Sequence, residues 1–183
     1  VDGVDIKTIS GSLLRKSIAV IPQKVMLFTG SIKENIKWGE EEADLAAVEE
    51  AAKLAQAHGF IEQFPEQYDT LLGQGGVNLS GGQKQRISIA RALIKKPKIL
   101  ILDDCTSAID LITEEKIRGG LKNYMGNLTS LIVAQRIISV MEADQIIVLD
   151  KGKIAGIGRH SELLKNCQIY QDIFISQLGK EAM

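Results

Sequence analysis

The sequence predicts an α/β protein built around a parallel sheet. Residues 99–102 are Ile-Leu-Ile-Leu, a short uninterrupted apolar run that is typical of a strand covered on both faces, as in parallel sheets. A helix with a recognisable start and stop precedes this run, and Asp103 and Asp104 follow it. Open α/β sheets bind ligands at the carboxyl ends of their strands, and paired carboxylates are costly there unless a metal, a water or a partner uses them. The pattern therefore indicates a site at this edge of the sheet.

The helix before the strand has a start that favours an anion. Ser80 followed three residues later by Gln83 is a capping box, which marks a helix N-terminus. Gly81 and Gly82 lie in the first turn, where the absence of side chains leaves backbone N–H groups accessible and the helix dipole adds partial positive charge. The sequence therefore predicts that a negatively charged group binds at residues 80–83.

The remaining elements follow from local patterns. The helix from Gly81 carries Ile87, Ala90 and Ile94 on one face and ends before Pro97. The other predicted helices cover residues 40–58, with Leu45, Val48, Ala52 and Ala55 along one face, residues 113–125, and a tail from Ser161. The other predicted strands cover residues 18–21 and 129–134, and residues 145–149 form a hairpin with 154–157.

Three motifs within residues 79–110 resemble those of the nucleotide-binding domain of an ABC transporter, of the exporter type. Leu-Ser-Gly-Gly-Gln at 79–83 is similar to the family signature, residues 98–104 to the Walker B strand, and residues 107–110 to the D-loop. The resemblance covers nearly all 183 residues. It implies an ATP-binding subunit that uses ATP and Mg²⁺.

The resemblance also implies an architecture. We expect part of a P-loop NTPase (RecA-like) fold, with a three-layer α/β/α core formed by residues 1–23 and 97–183. An α-helical signature subdomain, residues 24–96, is inserted into this core. No GxxxxGK[ST] run occurs in the sequence, so the phosphate-binding loop is expected upstream of Val1. The chain is then the C-terminal portion of the domain, and we expect it to be inactive in isolation.

The resemblance assigns roles to individual residues. Gln23 would be the Q-loop glutamine, which reaches both the magnesium and the attacking water. The residues expected in catalysis are Asp104, Gln135 and Gln23. Those expected at the metal are Asp103 and Gln23. Those expected at the nucleotide are Ser80, Gly81, Gly82, Gln83 and, near the axis of a domain dimer, Asp110.

Two positions depart from the family pattern. The family usually has a glutamate after the Walker B aspartate to polarise water, and this chain has Asp104. The family's switch histidine falls at Gln135, which can donate a hydrogen bond but cannot carry a charge near neutral pH. Both changes weaken one site. The chain therefore resembles the degenerate half of a heterodimeric exporter, whose intact signature completes the partner's hydrolytic site.

The resemblance further implies partners and a location. A second nucleotide-binding domain with a consensus site is expected as heterodimer partner. Residues 25–38 resemble the exporter surface that meets the coupling helices of the transmembrane domain, and residues 70–76 lie where exporters carry the X-loop, with Gln74 in place of a glutamate. The expected location is the cytoplasmic face of the cell membrane, as part of a transporter. No stretch approaches the roughly 20 apolar residues of a membrane span, so the membrane domain is expected outside this sequence.

Two other functions are considered. An ABC-type ATPase of DNA repair or chromosome structure shares the signature. The net charge of −1 and the lack of a long basic run argue against a nucleic-acid partner. A regulatory module that binds ATP only to hold a dimer is the second alternative.

Composition adds little to these expectations. A chain of 183 residues, 45% of them hydrophobic, can bury one good core, which predicts one globular unit with room for a subdomain. Cys105 and Cys167 show no metal-ligand spacing and are interpreted as reduced packing residues, and His58 and His160 as surface or capping residues.

Overall fold

The computed structural model describes residues 1, 3–124 and 128–179. They form two compact units, Val1–Val133 and Ala134–Met183. Among the helices of the described ranges, none is both long and apolar enough to cross a membrane.

The first unit contains both helices and strands. Its helices are α1 (Gly11–Ser17), α2 (Ile32–Lys37), α3 (Leu45–Leu54), α4 (His58–Ile61), α5 (Gly81–Leu93) and α6 (Leu111–Tyr124). Its strands are β1 (Ile18–Ile21), β2 (Gly30–Ser31), β3 (Leu71–Leu72), β4 (Ile99–Asp103) and β5 (Thr129–Val133). The predicted end of α6 at Met125 lies outside the described residues.

Strands β1, β4 and β5 form a parallel sheet with β4 in the centre. Ile99 of β4 lies opposite Ile18 of β1 and opposite Thr129 of β5. All three strands therefore end at the same edge, where the loops after β1 and β4 start next to each other. The predicted α/β fold class is confirmed, and the edge expected to carry a site exists.

The covering of β4 differs from the prediction of a strand buried on both faces. Leu100 and Leu102 are buried, whereas Ile99 and Ile101 are only partly buried. In the part of the chain that the structure describes, one face of the strand is packed more completely than the other. The apolar run was a correct signal for the strand and for its parallel neighbours, but not for equal burial.

Helix α3 begins later than predicted. Asp44 is its N-cap, with the backbone N–H of Ala47 donating to Asp44 Oδ1 at 2.8 Å, so residues 40–43 precede the helix. Leu45, predicted on the apolar face, is exposed because it occupies the first helical position. Val48, as well as Ala52 and Ala55, is buried as predicted.

Helix α5 is the centre of the first unit. Ile87, Ala90 and Ile94 are buried, as the periodicity predicts. At its C-terminal end Lys95 Nζ donates to the carbonyl oxygens of Arg15 and Ile18, at 2.6 and 2.9 Å, which joins the helix to the segment leading into β1.

The second unit is a hairpin covered by two helices. Strands β6 (Ile146–Asp150) and β7 (Lys153–Gly158) pair antiparallel, and α7 (His160–Asn166) and α8 (Gln168–Leu178) follow. The two turn residues have φ of 47° and 76°, the left-handed pair that two-residue hairpins favour. The predicted hairpin is confirmed. Its core is formed by buried residues of β6, α7 and α8 and of the segments beside them: Ile137, Ile146, Val148, Leu163, Cys167, Tyr170 and Phe174.

The two histidines are packing residues rather than surface residues. The Nδ1 atom of His58 lies 2.7 Å from the Tyr68 hydroxyl, and that of His160 lies 2.7 Å from the Tyr170 hydroxyl. Both imidazole rings are partly buried. The sequence did not reveal these pairs, because each depends on how a loop returns to its helix.

Gly39 is fixed by its contact with α5. A Cβ atom at this position would lie 2.0 Å from the carbonyl oxygen of Arg91 and 2.7 Å from Ile94 Cγ2. We expect Gly39→Ala to lower the free energy of unfolding by about 1–3 kcal/mol or more, because the new methyl group would have to displace the backbone of α5. Urea unfolding measures the change. Gly59→Ala is the matched control, because nothing lies within 4 Å of a Cβ there. Equal midpoints for the two variants would contradict the close contact.

Candidate functional site

The predicted capping box is present at the start of α5. The backbone N–H of Gln83 donates to Ser80 Oγ at 3.2 Å, and the backbone N–H of Ser80 donates to Gln83 Oε1 at 2.9 Å. Ser80 and Gly81 are exposed. The helix start is thereby held rigidly while its positive dipole end faces solvent, the arrangement that binds anions.

Both signature glycines lie against the segment that follows β4. A Cβ at Gly82 would lie 3.0 Å from the carbonyl oxygen of Ala108, and one at Gly81 would lie 3.7 Å from Ala108 Cβ. The sequence explained these glycines only by access for a phosphate. The structure adds a second reason, since a side chain at position 82 would push the predicted D-loop away. The signature and residues 107–110 form one surface.

Arg86 supports this surface, and sequence reasoning missed it. Its Nη1 donates to the carbonyl oxygen of Gln56 at 2.7 Å, and its Nε donates to that of Gly82 at 3.3 Å. The guanidinium lies 4.6 Å from the centre of the Phe60 ring. Burial lowers the pKa of Arg86, while the charge of Asp110 acts in the opposite direction. A cation nearly two turns after a helix cap is the only sequence signal that could have indicated it.

The loops after β1 and β4 bring two predicted site residues together. Gln23 Nε2 donates to Asp104 Oδ2 at 3.0 Å, although the residues are 81 positions apart. Asp104 has φ of 44°, in the left-handed region that aspartate tolerates better than most residues, and its backbone N–H donates to the carbonyl oxygen of Val133 at 2.8 Å. Hydrogen bonds thus hold both the carboxylate and the backbone of Asp104.

The carboxylates at this edge are compatible with magnesium. Asp103 is exposed at the end of β4, beside the Gln23 to Asp104 contact, and all of these groups offer oxygen atoms. Mg²⁺ prefers oxygen ligands and usually takes one or two carboxylates together with substrate phosphates. Within the described residues, no group of three or more His, Cys, Asp and Glu side chains could hold a metal. The donor set fits an ion that arrives with a nucleotide.

Cys105 lies next to these carboxylates but is not a reactive thiol. It is buried, and burial raises the pKa of its thiol to about 12, with the charge of Glu114 acting in the same direction. The thiolate is the nucleophilic form of cysteine, so Cys105 is inert near neutral pH. Its interpretation as a packing residue agrees with this burial.

Asp110 is the N-terminal cap of α6. The backbone N–H of Thr113 donates to Asp110 Oδ1 at 2.9 Å. Hydrogen bonds from Thr113 lower the pKa of Asp110, and the nearby Arg86 charge lowers it further. Asp110 is exposed and ionised at neutral pH, and it links the predicted D-loop to the helix that follows.

Gln135 belongs to the second unit, whereas the other predicted site residues belong to the first. Gln177 Nε2 donates to the carbonyl oxygen of Gln135 at 2.7 Å, and the backbone N–H of Ile137 donates to Gln177 Oε1 at 2.8 Å. Helix α8 therefore fixes the backbone at Gln135. The side chain of Gln135 is exposed.

The surface expected to meet a membrane domain carries exposed apolar side chains. Met26 and Trp38 are exposed, and Phe28 stacks on Trp38 with ring centres 4.2 Å apart, whereas Leu27 is buried. A groove of about 660 Å³ lies in this region, lined by Met26, Trp38 and other apolar side chains and by four basic ones: Arg15, Lys24, Arg91 and Lys95. The region around Gln74 is exposed and forms a short turn.

Comparison with known proteins places these motifs in a family. A model of the ABC transporter family matches residues 1–107. The uncharacterized ABC transporter ATP-binding protein YfiB of Bacillus subtilis is 53% identical over 99% of this chain and 31% of its own length. The ATP-dependent lipid A-core flippase of Desulfotalea psychrophila is 44% identical over 97% of this chain and 31% of its own length. The chain thus spans about a third of the length of these relatives.

A solved structure agrees with the sequence matches. The structure of a bacterial Atm1-family ABC exporter with ATP bound superposes with a TM-score of 0.91 at 39% identity, covering 96% of this chain and 31% of the exporter chain. The fold is therefore that of an ABC exporter nucleotide-binding domain, a P-loop NTPase fold. With the family model matching more than half of its residues, this chain belongs to the ABC transporter family.

Proposed function

We propose that this chain forms part of the ATP-binding subunit of an ABC exporter. The full assembly is an ATPase. Within it, this subunit would lie at the cytoplasmic face of the membrane and couple ATP binding and hydrolysis to export. The observation that supports this proposal most strongly is the exposed, doubly capped start of α5 resting on residues 107–110. A rigid helix start that faces solvent next to a second motif is suited to a phosphate held by another domain.

The signature residues would act on the nucleotide of the partner domain. The Ser80 hydroxyl accepts from the N–H of Gln83, which leaves its own O–H available to donate to a phosphate oxygen. Gly81 and Gly82 allow the phosphate to approach backbone N–H groups. Gln83 is held in the cap, so it orients Ser80. Together these groups would stabilise charge on the transferred phosphate.

The chain's own ATP site would hydrolyse poorly. The Asp104 carboxylate is shorter by one methylene than the usual glutamate, and it is held by Gln23 at 3.0 Å. Gln135 cannot supply a proton near neutral pH. Asp103 and Gln23 would hold Mg²⁺ with the phosphates, and the ion, when bound, supplies charge neutralisation there. We propose a heterodimer whose other site is consensus, with Asp110 near its axis.

The exposed surface around Phe28 and Trp38 would meet the transmembrane coupling helices. Met26 and Trp38 line a groove that also contains basic side chains, and Phe28 stacks on Trp38. An apolar patch next to polar or charged side chains is typical of a protein contact surface. The transmembrane domain is the partner that this position favours, and no nucleic-acid surface is proposed.

Steady-state hydrolysis by the full heterodimer, with each site disabled in turn, tests the proposal. Asp103→Asn disables this chain's site, and neutralising the glutamate after the partner's Walker B strand disables the other. We expect most of the hydrolysis to vanish with the partner's site and little to vanish with this one. Equal losses would contradict the impaired site. Absence of hydrolysis at both sites of the unaltered assembly would favour the regulatory module that only holds a dimer.

A further inference from the structure

Exposed apolar side chains of the first unit lie above Asn35, a buried residue whose side chain makes several hydrogen bonds. We call Met26, Phe28 and Trp38 the aromatic patch. Met26 is 66% exposed and Trp38 62%, and the stacked rings of Phe28 and Trp38 lie 16° from parallel. Large apolar side chains at such exposure cannot hold their own backbone in place by burial. The patch must be positioned from beneath.

Asn35 positions the backbone of the patch. It is 1% exposed, and its Nδ2 donates to the carbonyl oxygens of Phe28 and Ser31 at 2.9 and 3.0 Å. The backbone N–H of Phe28 donates to Asn35 Oδ1 at 2.9 Å. One buried amide thus satisfies both polar groups of the Phe28 backbone and joins them to the first turn of α2.

Arg91 joins this arrangement to α5. Its Nε and Nη2 donate to the carbonyl oxygen and to Oδ1 of Asn35, at 2.7 and 2.9 Å, and its Nη1 donates to the carbonyl oxygen of Met26 at 2.9 Å. The guanidinium lies 5.2 Å from the centre of the Phe28 ring. A single planar side chain therefore holds the patch through one hydrogen bond to Met26, two to Asn35 beneath it and one aromatic face.

The backbone of α5 makes a second contact with the same region. The close approach of Gly39 to the carbonyl oxygen of Arg91 places the residue after Trp38 directly on the helix. Ser80 and Arg91 stand on one continuous helix, about 16 Å apart at 1.5 Å per residue. A displacement of the patch would therefore also displace α5, the helix whose N-terminus carries the signature.

We propose that Arg91 is a positioning residue that couples the aromatic patch to the signature. Resting on the proposed function, the inference adds the route by which contact with the membrane domain and binding of the partner's nucleotide influence each other. Coupling of this kind is reciprocal: nucleotide at Ser80 orders the patch, and a fixed patch favours nucleotide at Ser80. Lysine cannot replace Arg91 in this role, because an ammonium lacks the planar fork that bonds two segments at once.

The test uses the full-length subunit with its partner, in which neutralising the partner's catalytic glutamate traps ATP with Mg²⁺. Backbone hydrogen exchange is followed at residues 26–38 and 80–84, with and without nucleotide. In the unaltered chain we expect ATP to slow exchange in both ranges. In Arg91→Lys the slowing at 80–84 should remain, while that at 26–38 should fall about five-fold or more, the low end of typical coupling between sites.

Lys95→Gln is the matched control. Lys95 closely follows α5 and, like Arg91, donates to backbone carbonyl oxygens, but these belong to Arg15 and Ile18 and not to the patch or the signature. We expect it to leave the response of residues 26–38 to ATP intact. A merely structural Arg91 would raise exchange with and without ATP alike and leave the difference between the two states unchanged.

The outcomes separate the inference from the proposed function. If ATP slows exchange at 80–84 but never at 26–38 in the unaltered chain, the coupling is wrong and the signature role stands. If ATP changes neither range, the signature role fails and the coupling fails with it. Should Arg91→Lys not fold, Phe28→Leu removes the ring that the guanidinium covers, together with its stack on Trp38, and it must show the same selective loss. A full response of 26–38 in that variant would overturn the inference.

Discussion

Replacing Ser80 with arginine in the full-length subunit is expected to lower the rate of ATP turnover at the partner's site on the order of 10²-fold or more. Ser80 is exposed at the N-cap of α5, so the new side chain would place bulk and positive charge where the partner's phosphate is proposed to bind. It would also remove the hydroxyl that caps the helix. Steady-state hydrolysis by the assembled transporter measures the effect.

Ser10→Arg is the matched control for this experiment. Ser10 is also an exposed N-cap, accepting from the backbone N–H of Leu13 at 3.3 Å, but it caps α1 and not the signature helix. Both variants lose a cap, which costs about 0.5–2 kcal/mol of stability, and both gain an arginine. Turnover should therefore fall in Ser80→Arg alone. Unchanged hydrolysis in Ser80→Arg would mean that the signature does not act on the partner's nucleotide.

The sequence predicted best the parts of the fold that depend on neighbouring residues. The capping box at Ser80, the helix that stops before Pro97 and the strand that follows are all decided by residues within one or two turns of each other. The parallel sheet was predictable for the same reason, since a short unbroken apolar run bounded by turn residues is typical of a strand in a parallel sheet. Local chemistry leaves little choice in these segments.

Contacts between distant segments could not be predicted in this way. Gln23 and Asp104 are 81 positions apart, and Arg91 and Asn35 are 56 apart. The periodicity of apolar residues in the sequence does not indicate which carbonyl oxygen an arginine side chain will bond. The close approach of Gly82 to Ala108 is of the same kind, because it depends on how the loop after β4 turns back over the helix.

The roles of Asp104 and Gln135 come from a resemblance and not from any local pattern. The structure explains one of these residues in its own terms, because Asp104 adopts a left-handed backbone conformation and receives a hydrogen bond from Gln23. It places Gln135 in the second unit, with its backbone held by Gln177. The impaired site therefore stays a prediction, which kinetics can decide.

The paired change Asp104→Glu and Gln135→His is expected to restore hydrolysis at this chain's own site. The added methylene advances the carboxylate by about 1.5 Å, one C–C bond, toward the water it would polarise. A misplacement of about 1 Å can cost on the order of 10²-fold in rate, so a recovery of that order is expected from the pair. The measurement is the ATPase rate of a heterodimer whose consensus site has been disabled.

Two single changes and one control show which group limits the rate. Asp104→Glu alone should recover less than the pair, because a well-placed base still lacks the switch side chain, and groups that act as a unit are far from additive. Asp104→Asn combined with Gln135→His is the control. Asparagine keeps the length of Asp104 and tolerates its left-handed backbone, but it cannot accept a proton. The control should stay at background.

The Gln23 to Asp104 hydrogen bond makes the result of the paired change informative in either direction. A glutamate at position 104 must displace the Gln23 amide or carry it along, since the two groups are 3.0 Å apart in the present chain. If the amide limits the carboxylate, Gln23→Ala added to the pair should release the carboxylate but weaken the binding of ATP with Mg²⁺, because Gln23 is also expected at the metal. If the paired change leaves the rate at background while Asp103 and the partner's signature are intact, Asp104 and Gln135 do not cause the deficiency, and its origin lies outside this edge of the sheet.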